Sequence, residues 1–132
     1  MKKKQRAYNC LLFETHYTYF ICIPFRSEIS HPYAYHLKKS KRSQKHKSGL
    51  DYSKIVIIKN KNYVGNKDAV IDKDEFKETM IRLDKIKYEA LKFVEDYVAH
   101  LNKTRELDDR EFKRRYTYSS LQYFHDELGV SV

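Results

Sequence analysis

Residues 7–24, with the sequence AYNCLLFETHYTYFICIP, decide how the first half of this chain folds. Two runs rich in aromatic and apolar residues, Ala7–Glu14 and Thr15–Pro24, meet at the polar stretch Glu14-Thr15-His16. Such residues favour pleated strands, and a short polar break between two strands predicts an antiparallel hairpin. Pro24 has no N–H to donate to a neighbouring strand, so it marks a strand end or an edge.

Both cysteines of the chain, Cys10 and Cys22, fall within this hairpin. Free cysteine is among the residues most often buried, so we expect two neighbouring buried thiols. The sequence has no C-x-x-C pair, no Cys/His cluster at zinc spacing and no glycine-rich nucleotide loop. We therefore expect no metal and no cofactor. The chain also lacks an apolar run long enough to span a membrane, and we expect a cytoplasmic protein.

The later part of the chain changes from strand patterns to helix patterns. Gly49 and Asp51 lead into a clear strand at Tyr52–Lys59, and residues 60–72 indicate a turn, a short strand and a turn. Four helical segments follow. The first is capped by Asp72 and has Phe76, Met80 and Leu83 on one face. The second is longer and ends at Asn102; Asp96 lies off its apolar stripe, which consists of Ala90, Leu91, Val94, Val98 and Leu101. The third is Asp108–Tyr116, and the fourth is capped by Ser119 or Ser120 and stops at Gly129.

Strands that precede helices in this way predict an α+β fold. We expect a single domain with a small, strongly bent antiparallel sheet and helices packed on it. Residues 1–71 should be mainly β, with a basic loop at 38–48, and residues 72–129 mainly helical.

Positive charge is concentrated in the first half of the chain. Residues 1–67 hold 15 Lys or Arg against 3 Asp or Glu, whereas residues 68–132 hold 12 against 15, and the whole chain carries a net charge of +9. Residues 38–48, KKSKRSQKHKS, contain no apolar side chain and predict a solvated loop. Cations concentrated on one part of a protein favour a polyanionic partner, and nucleic acid is the first candidate.

The segment Phe20–Lys54 contains the residue types that metal-free RNA cleavage needs. Such a nuclease activates a ribose 2′-hydroxyl, stabilises charge on the phosphorane and protonates the leaving 5′-oxygen. Histidine or lysine can move the protons, and arginine can bind phosphate bidentately. The segment offers Arg26, Ser27, His31, His36, Lys38, Lys39, His46 and Lys54.

Each of these signals has a plain structural alternative. Arg26-Ser27 can be a turn with a surface arginine, and His31 can be an ordinary loop histidine. The 38–48 cations can contact a phosphate backbone without chemistry. Tyrosines of the strands can stack on unpaired bases or simply pack within a sheet. A serine hydrolase is disfavoured, because no G-x-S-x-G motif occurs.

The stretch RAYNCLLFETHYTYFICIPFRSEISH, Arg6–His31, resembles the ToxN/AbiQ/CptN family, the endoribonuclease toxins of type III toxin–antitoxin systems. The shared features are a basic residue and an aromatic before a strand, then Pro24-Phe25-Arg26-Ser27 at the end of the next strand, then His31. GLDYSKIVIIKN is similar to the family's later core strand, and YTYSSLQYFHDELG to its closing helix.

The resemblance implies a barrel-like antiparallel sheet similar to the MazF/Kid toxins and metal-independent cleavage of mRNA that leaves 2′,3′-cyclic phosphate ends. It also implies a role in phage defence, and inhibition by a repetitive, pseudoknot-forming RNA antitoxin in a protein–RNA hetero-oligomer. The catalytic candidates are Ser27, Arg26 and His31. The RNA-binding candidates are Arg6, Tyr8, Lys38, Lys39, Lys41, Arg42, Lys45, Lys47 and Lys54.

Two features depart from the family pattern. The chain opens almost directly at Arg6, so we expect the family's first strand and its site tyrosine to be absent. Ile29 stands where many members carry lysine, and since Ile29 cannot move a proton, His31 or Lys38 would have to do so. Two alternatives follow: an RNA-binding homologue that does not cleave, and a small DNA-associated protein of a mobile element whose basic loop holds duplex backbone.

Overall fold

The computed structural model describes residues 10–59 and 73–130 of the chain. The strands in this part are β1 (Cys10–Glu14), β2 (Phe20–Arg26), β3 (Ala34–His36), β4 (Gly49–Asp51) and β5 (Val56–Ile58). The helices are α1 (Lys41–His46), α2 (Lys73–Ile81), α3 (Leu83–Leu101), α4 (Asp109–Tyr116) and α5 (His125–Leu128), and single 3₁₀ turns lie at Tyr52–Lys54 and Ser120–Tyr123. The predictions for Arg6, Tyr8 and residues 60–72, including the Asp72 cap, concern residues outside the described part of the chain.

Strand β2 is the centre of an antiparallel five-stranded sheet. β1 pairs with β2 from Cys10 opposite Pro24 to Glu14 opposite Phe20. β5 pairs with the first half of β2 and β4 with its end, and β3 pairs with β4. The α+β class is therefore confirmed. No strand pairing among the described residues closes the sheet, so a barrel is not shown.

The predicted N-terminal hairpin is confirmed, but its connection is longer than the predicted turn. Residues 15–19 join β1 to β2, and the Thr15 N–H and hydroxyl both donate to the Tyr19 carbonyl, at 3.2 and 2.7 Å. The expectation of free thiols is wrong, because Cys10 and Cys22 form a disulfide between the two strands. The register places Cys22 opposite Leu12, so Cys10 and Cys22 are diagonal neighbours on one face, with Cα atoms 6.0 Å apart.

The predicted strand at Tyr52–Lys59 is only partly correct. Residues Tyr52–Lys54 form a 3₁₀ turn, because the Asp51 carboxylate accepts the Ser53 N–H at 3.0 Å and caps it. The strand begins at Val56 instead. This turn lets two short strands, β4 and β5, pair with successive parts of β2.

Helix α3 packs on the sheet, and its buried face only partly matches the apolar stripe predicted from the sequence. Ala90 and Val94 of the predicted stripe are buried, but the centre of the buried face is formed with Ile86, Phe93 and Tyr97. These residues pack with the sheet residues Ile21, Ile23, Leu50 and Ile57 in the main core. The predicted end at Asn102 is confirmed. The helix predicted over Asp108–Tyr116 is also confirmed as α4, with Asp108 as its cap. The closing segment is a Ser119-capped 3₁₀ turn followed by α5, which ends at Gly129.

Helix α2 buries a polar face, and the apolar face that was predicted to be buried is exposed. Its buried residues are Glu75, Glu78 and Thr79, whereas the expected core residues Phe76 and Met80 are 48% and 38% exposed. The reason is hydrogen bonding, because both glutamates accept hydrogen bonds from residues 38–48. Specific hydrogen bonding to buried carboxylates therefore decides which face of α2 turns inward.

Candidate functional site

A buried carboxylate, Asp51 at the end of β4, gathers three side chains around it. Its Oδ2 lies 3.5 Å from Nε of Arg26, at the end of β2. Its Oδ1 lies 3.2 Å from Nε2 of His31 and accepts the Ser53 hydroxyl at 2.6 Å. The Asp51 side chain is 4% exposed, while those of Arg26 and His31 are 52% and 34% exposed. We call these four residues the Asp51 cluster.

His31 is held in one neutral tautomer. The Tyr33 N–H donates to its Nδ1 at 3.0 Å, so Nδ1 carries a lone pair and the ring proton lies on Nε2. Nε2 faces both the Asp51 carboxylate and the Ser53 hydroxyl, the latter at 3.3 Å. In a nucleophile–His–Asp relay the carboxylate and the hydroxyl contact different ring nitrogens. Here they share one, so the cluster is not a serine-hydrolase triad.

The sheet register places the basic groups on one face. Arg26 pairs with Gly49, and Gly49 pairs with His36 of β3, so these three positions lie in a row across β2, β4 and β3. Alternation along β4 puts Asp51 on the same face. His36 Nε2 donates to the His31 carbonyl at 2.9 Å and ties β3 to the loop that carries His31. The cluster thus has a rigid support on three strands.

The remaining catalytic candidate lies next in the chain. Ser27 follows β2 directly and is exposed, and Glu28 has a positive φ of 56° that turns the chain. The Glu28 N–H then donates to the His46 carbonyl and the Ile29 N–H to the Lys47 carbonyl. Ile29 is 5% exposed, so it fills the interior here. These bonds place the start of the loop beside the end of α1.

The interpretation of residues 38–48 as an irregular loop is wrong for Lys41–His46, which form α1. Ser40 caps the helix: its hydroxyl accepts the Ser43 N–H at 2.9 Å, and the Ser43 hydroxyl accepts the Ser40 N–H in return. Both serines are buried. The exposed cations of this segment are Lys38, Lys39, Lys41, Arg42, Lys45 and Lys47.

Two buried glutamates of α2 anchor this cationic segment. Glu78 accepts the Lys38 and Lys39 N–H groups at 3.0 Å, and Glu75 accepts the Ser48 hydroxyl and lies 3.5 Å from Nε of Arg42. The Glu78 carboxylate binds the backbone of Lys38 and Lys39 and leaves their side chains exposed. The segment is therefore an ordered cationic surface.

Lys54, the remaining RNA-binding candidate among the described residues, contacts the C-terminal part of the chain. The Lys54 ammonium donates to the Tyr118 carbonyl at 3.4 Å, near the C-terminal 3₁₀ turn. It thus belongs to the surface formed with the helical half of the chain. Arg6 and Tyr8 lie outside the described residues.

A second concave feature lies between β3, the 3₁₀ turn after β4, α3 and α4. We call it the aromatic cleft; its volume is about 430 Å³, and its lining includes Tyr33, Tyr52, Tyr88, Glu89, Phe93 and Arg115. The Tyr52 hydroxyl donates to Glu89 at 2.8 Å. Burial, assisted by that bond, raises the pKa of Tyr52, which keeps the phenol neutral.

Buried Asp96 organises the charged side of the cleft. Expected off the apolar stripe of α3, it is 5% exposed and pairs with Arg105, with Arg115 at 3.1 Å and with Lys92 at 3.8 Å. Arg115 also donates to Glu111 at 2.7 Å, and this bond holds the pKa of Glu111 below its usual value. Arginines and carboxylates therefore alternate along this wall.

The two carboxylates that organise these sites, Asp51 and Asp96, were missed by sequence reasoning as functional residues. The signal for Asp51 was present in Asp51-Tyr52-Ser53, where an aspartate two residues before a serine can cap a turn. Nothing in the local pattern of α3 distinguishes Asp96 from a surface residue, since its cationic partners lie up to 19 positions away in the chain.

Comparison of the chain with protein-family models, with curated proteins and with solved structures finds no match. Within residues 10–59 and 73–130, no three His, Cys, Asp or Glu side chains form a group that could hold a metal ion. The same residues contain no helix of the length and apolarity needed to cross a membrane.

Proposed function

We propose that this protein is a metal-independent endoribonuclease whose active centre is the Asp51 cluster. The observation that carries the proposal is the convergence of half-exposed Arg26 and His31 on buried Asp51, at the strand end where the sequence resembles the type III toxins. A buried carboxylate restrains both side chains while their outer parts stay accessible. A preorganised guanidinium and a preorganised ring N–H donor stabilise the charge of a phosphorane.

The reaction assigned to this centre is an internal transfer. The ribose 2′-oxygen bonds to phosphorus while the bond to the 5′-oxygen breaks, and the 2′-proton leaves as another proton reaches the 5′-oxygen. The products are a 2′,3′-cyclic phosphate and a 5′-hydroxyl. Arg26 binds the non-bridging oxygens, and His31 carries one of the two protons after Nδ1 releases the Tyr33 N–H. Ser27, exposed at the end of β2, supplies a hydroxyl donor to the phosphate.

The exposed cations around α1 bind the RNA backbone in this proposal. A short helix held by Glu75 and Glu78 presents several ammonium groups in a fixed arrangement, which suits a phosphate chain. By the resemblance, the natural ligand of this surface is a pseudoknot-forming antitoxin RNA, the sheet belongs to the barrel-like MazF/Kid type, and mRNA is the substrate. The protein is then the toxin of a type III toxin–antitoxin pair.

Cleavage of a labelled mRNA by the purified full chain, in the presence of a chelator, tests the catalytic assignment. Arg26→Ala and His31→Ala should each lower the cleavage rate about 100-fold or more, since each removes charge stabilisation or proton transfer. Matched controls are Arg110→Ala on α4 and His16→Ala in the β1–β2 connection, both at exposed positions. Unchanged cleavage by the Arg26 and His31 variants, or products without cyclic phosphate, would contradict the assignment.

The salt dependence of RNA binding tests the cationic surface. Lys41 and Lys45 lie one turn apart on α1 and are exposed. Replacing both by glutamine should reduce the slope of log K against log salt by about 1.4, because each contact to a single strand contributes about 0.7. Lys77→Gln combined with Lys113→Gln removes the same charge from α2 and α4 and should leave the slope unchanged. If the two pairs of substitutions change the slope equally, α1 does not contact the RNA directly and contributes only through the net charge of the protein.

One observation favours a second candidate, an RNA-binding protein that does not cleave. With the Tyr33 N–H on Nδ1, His31 is a hydrogen-bond donor through Nε2, which suits phosphate binding better than proton transfer. This candidate predicts tight, salt-sensitive binding to single-stranded RNA and intact RNA after prolonged incubation. A preference for duplex DNA over single-stranded RNA in direct competition would contradict both candidates.

A further inference from the structure

The aromatic cleft adjoins the Asp51 cluster through the chain itself. Pro32 and Tyr33 of the cleft follow His31, and Tyr52 follows Asp51. The His31 and Tyr33 rings are stacked with their centroids 6.0 Å apart, so the cluster and the cleft share a wall. A polymer held by a phosphate at Arg26 and His31 would therefore place a neighbouring group at the mouth of the cleft.

The walls of the cleft are aromatic. Tyr33 and Tyr52 lie with ring centroids 6.4 and 6.3 Å from Phe93, and Tyr88 stands 66% exposed at the rim. Tyr52 and Phe93 are buried and form the floor, whereas exposed Tyr88 and partly exposed Tyr33 can accept an unpaired base by stacking. A volume of about 430 Å³ lies within the usual range for small-ligand pockets and accommodates one planar heterocycle.

The charges of the cleft disfavour an anion. Its lining contains three carboxylates, from Glu89, Asp96 and Glu111, against the two cations Lys92 and Arg115. Asp96 and Glu111 are engaged by arginines. Glu89 accepts the Tyr52 hydroxyl on Oε1, and a carboxylate has about four lone-pair sites, so it can accept further donors. A neutral, planar ligand that donates hydrogen bonds fits this lining.

We propose that the aromatic cleft binds one unpaired nucleobase that carries an exocyclic amino group, stacked beside Tyr88 and Tyr33 and hydrogen-bonded to Glu89. Adenine, cytosine and guanine have such a group, whereas uracil does not. The cleft is thus the base-recognition subsite next to the phosphate site. This inference rests on the proposed function for its polymer, RNA, but the cleft can be tested without cleavage.

Binding of the full chain to single-stranded A12, C12 and U12 at one fixed salt concentration is the first experiment. A12 and C12 should bind about tenfold more tightly than U12, which corresponds to the usual value of a specific base contact. Glu89→Gln should reduce that preference to about threefold or less. Tyr88→Ala should weaken binding of all three strands about fivefold or more, since it removes a stacking surface.

Two variants provide matched controls, because they make the same chemical changes at exposed positions outside the cleft. Glu106→Gln and Tyr123→Ala, the latter 76% exposed at the C-terminal 3₁₀ turn, should retain both the affinity and the preference. If the Glu89 and Tyr88 variants match these controls, the cleft does not read bases and the inference is overturned.

Titration with free adenosine and uridine, followed by amide resonances in the nuclear magnetic resonance spectrum, separates this inference from the proposed function. Adenosine should shift the amides of Tyr88, Glu89 and Lys92 at lower concentration than uridine does. That result supports base binding in the cleft even if the protein cleaves no RNA. In that case the nuclease proposal is contradicted and the inference about the cleft stands. Equal responses to both nucleosides in a protein that does cleave RNA overturn the cleft alone.

Discussion

Gly49 is the position where a single methyl group should disturb the site most. A Cβ built on Gly49 would lie less than 3.0 Å from the Tyr35 carbonyl oxygen and 3.2 Å from Cα of His36. Both atoms belong to the backbone of β3, which cannot rotate away as a side chain would. Gly49→Ala therefore requires β3 and β4 to separate, in the middle of the row formed by Arg26, Gly49 and His36.

The expected cost follows from these contacts. Inserting a methyl group where no space exists costs about 1–3 kcal/mol. Separating β3 from β4 also weakens one or two ladder hydrogen bonds, at about 1 kcal/mol each. We expect Gly49→Ala to lower the free energy of unfolding by about 3 kcal/mol, a large part of the ~5–15 kcal/mol that stabilises a typical domain.

Urea unfolding followed by circular dichroism measures this cost, and Gly129→Ala provides the control. Gly129 has a φ of 74° at the end of α5, but a Cβ there meets nothing within 4 Å, so only the left-handed backbone is penalised, by about 1 kcal/mol. A loss at Gly49 no larger than the loss at Gly129 would refute the close packing of β3 on β4. It would also remove the rigid support assigned to the Asp51 cluster.

Three further predictions concern groups that the structure pairs. Asp51→Ala should cost about 2–4 kcal/mol in urea unfolding, because it leaves the buried Ser53 N–H and hydroxyl without their acceptor, and Asp51→Asn should cost less because it keeps an acceptor. Because its pKa is lowered in the folded protein, Glu111 contributes stability above the ordinary glutamate pKa of 4.5 and loses that contribution as the pH falls. The difference in Tm between wild type and Glu111→Gln should therefore shrink below that pH. Reduction of the Cys10–Cys22 disulfide, which closes a loop with a separation of 12 residues, should cost about 3 kcal/mol, and Cys22→Ser should make the protein insensitive to reductant.

Local pattern was sufficient for those parts of the chain whose structure depends on near neighbours. The hairpin of Cys10–Arg26, the end of α3 at Asn102 and the presence of helix α4 follow from strand propensity and local helix signals, which act over a few residues. The order of strands before helices also predicted the α+β class. The concentration of cations before residue 67 is a property of the sequence alone.

The sequence interpretation failed where a distant partner outweighs the local pattern. Residues 41–46 contain no apolar side chain, yet they form a helix because Ser40 caps it and Glu75 and Glu78 of α2 hold the chain on either side. The same two glutamates turn Phe76 outward, against the usual burial of aromatic rings. A buried carboxylate must keep its donors, and those donors come from 27 to 40 residues away.

Composition and strand patterns are local, so the types of side chain near the end of β2 and the charge around them follow from the sequence alone. Which of those side chains form a site depends on how the strands pair in three dimensions. Asp51 and Ser53 meet Arg26 and His31 because β4 pairs with the end of β2 and the 3₁₀ turn follows directly. Cys10 likewise meets Cys22 because of the register of β1 on β2. Strand register is fixed by packing across the whole sheet, so no single stretch of sequence contains it.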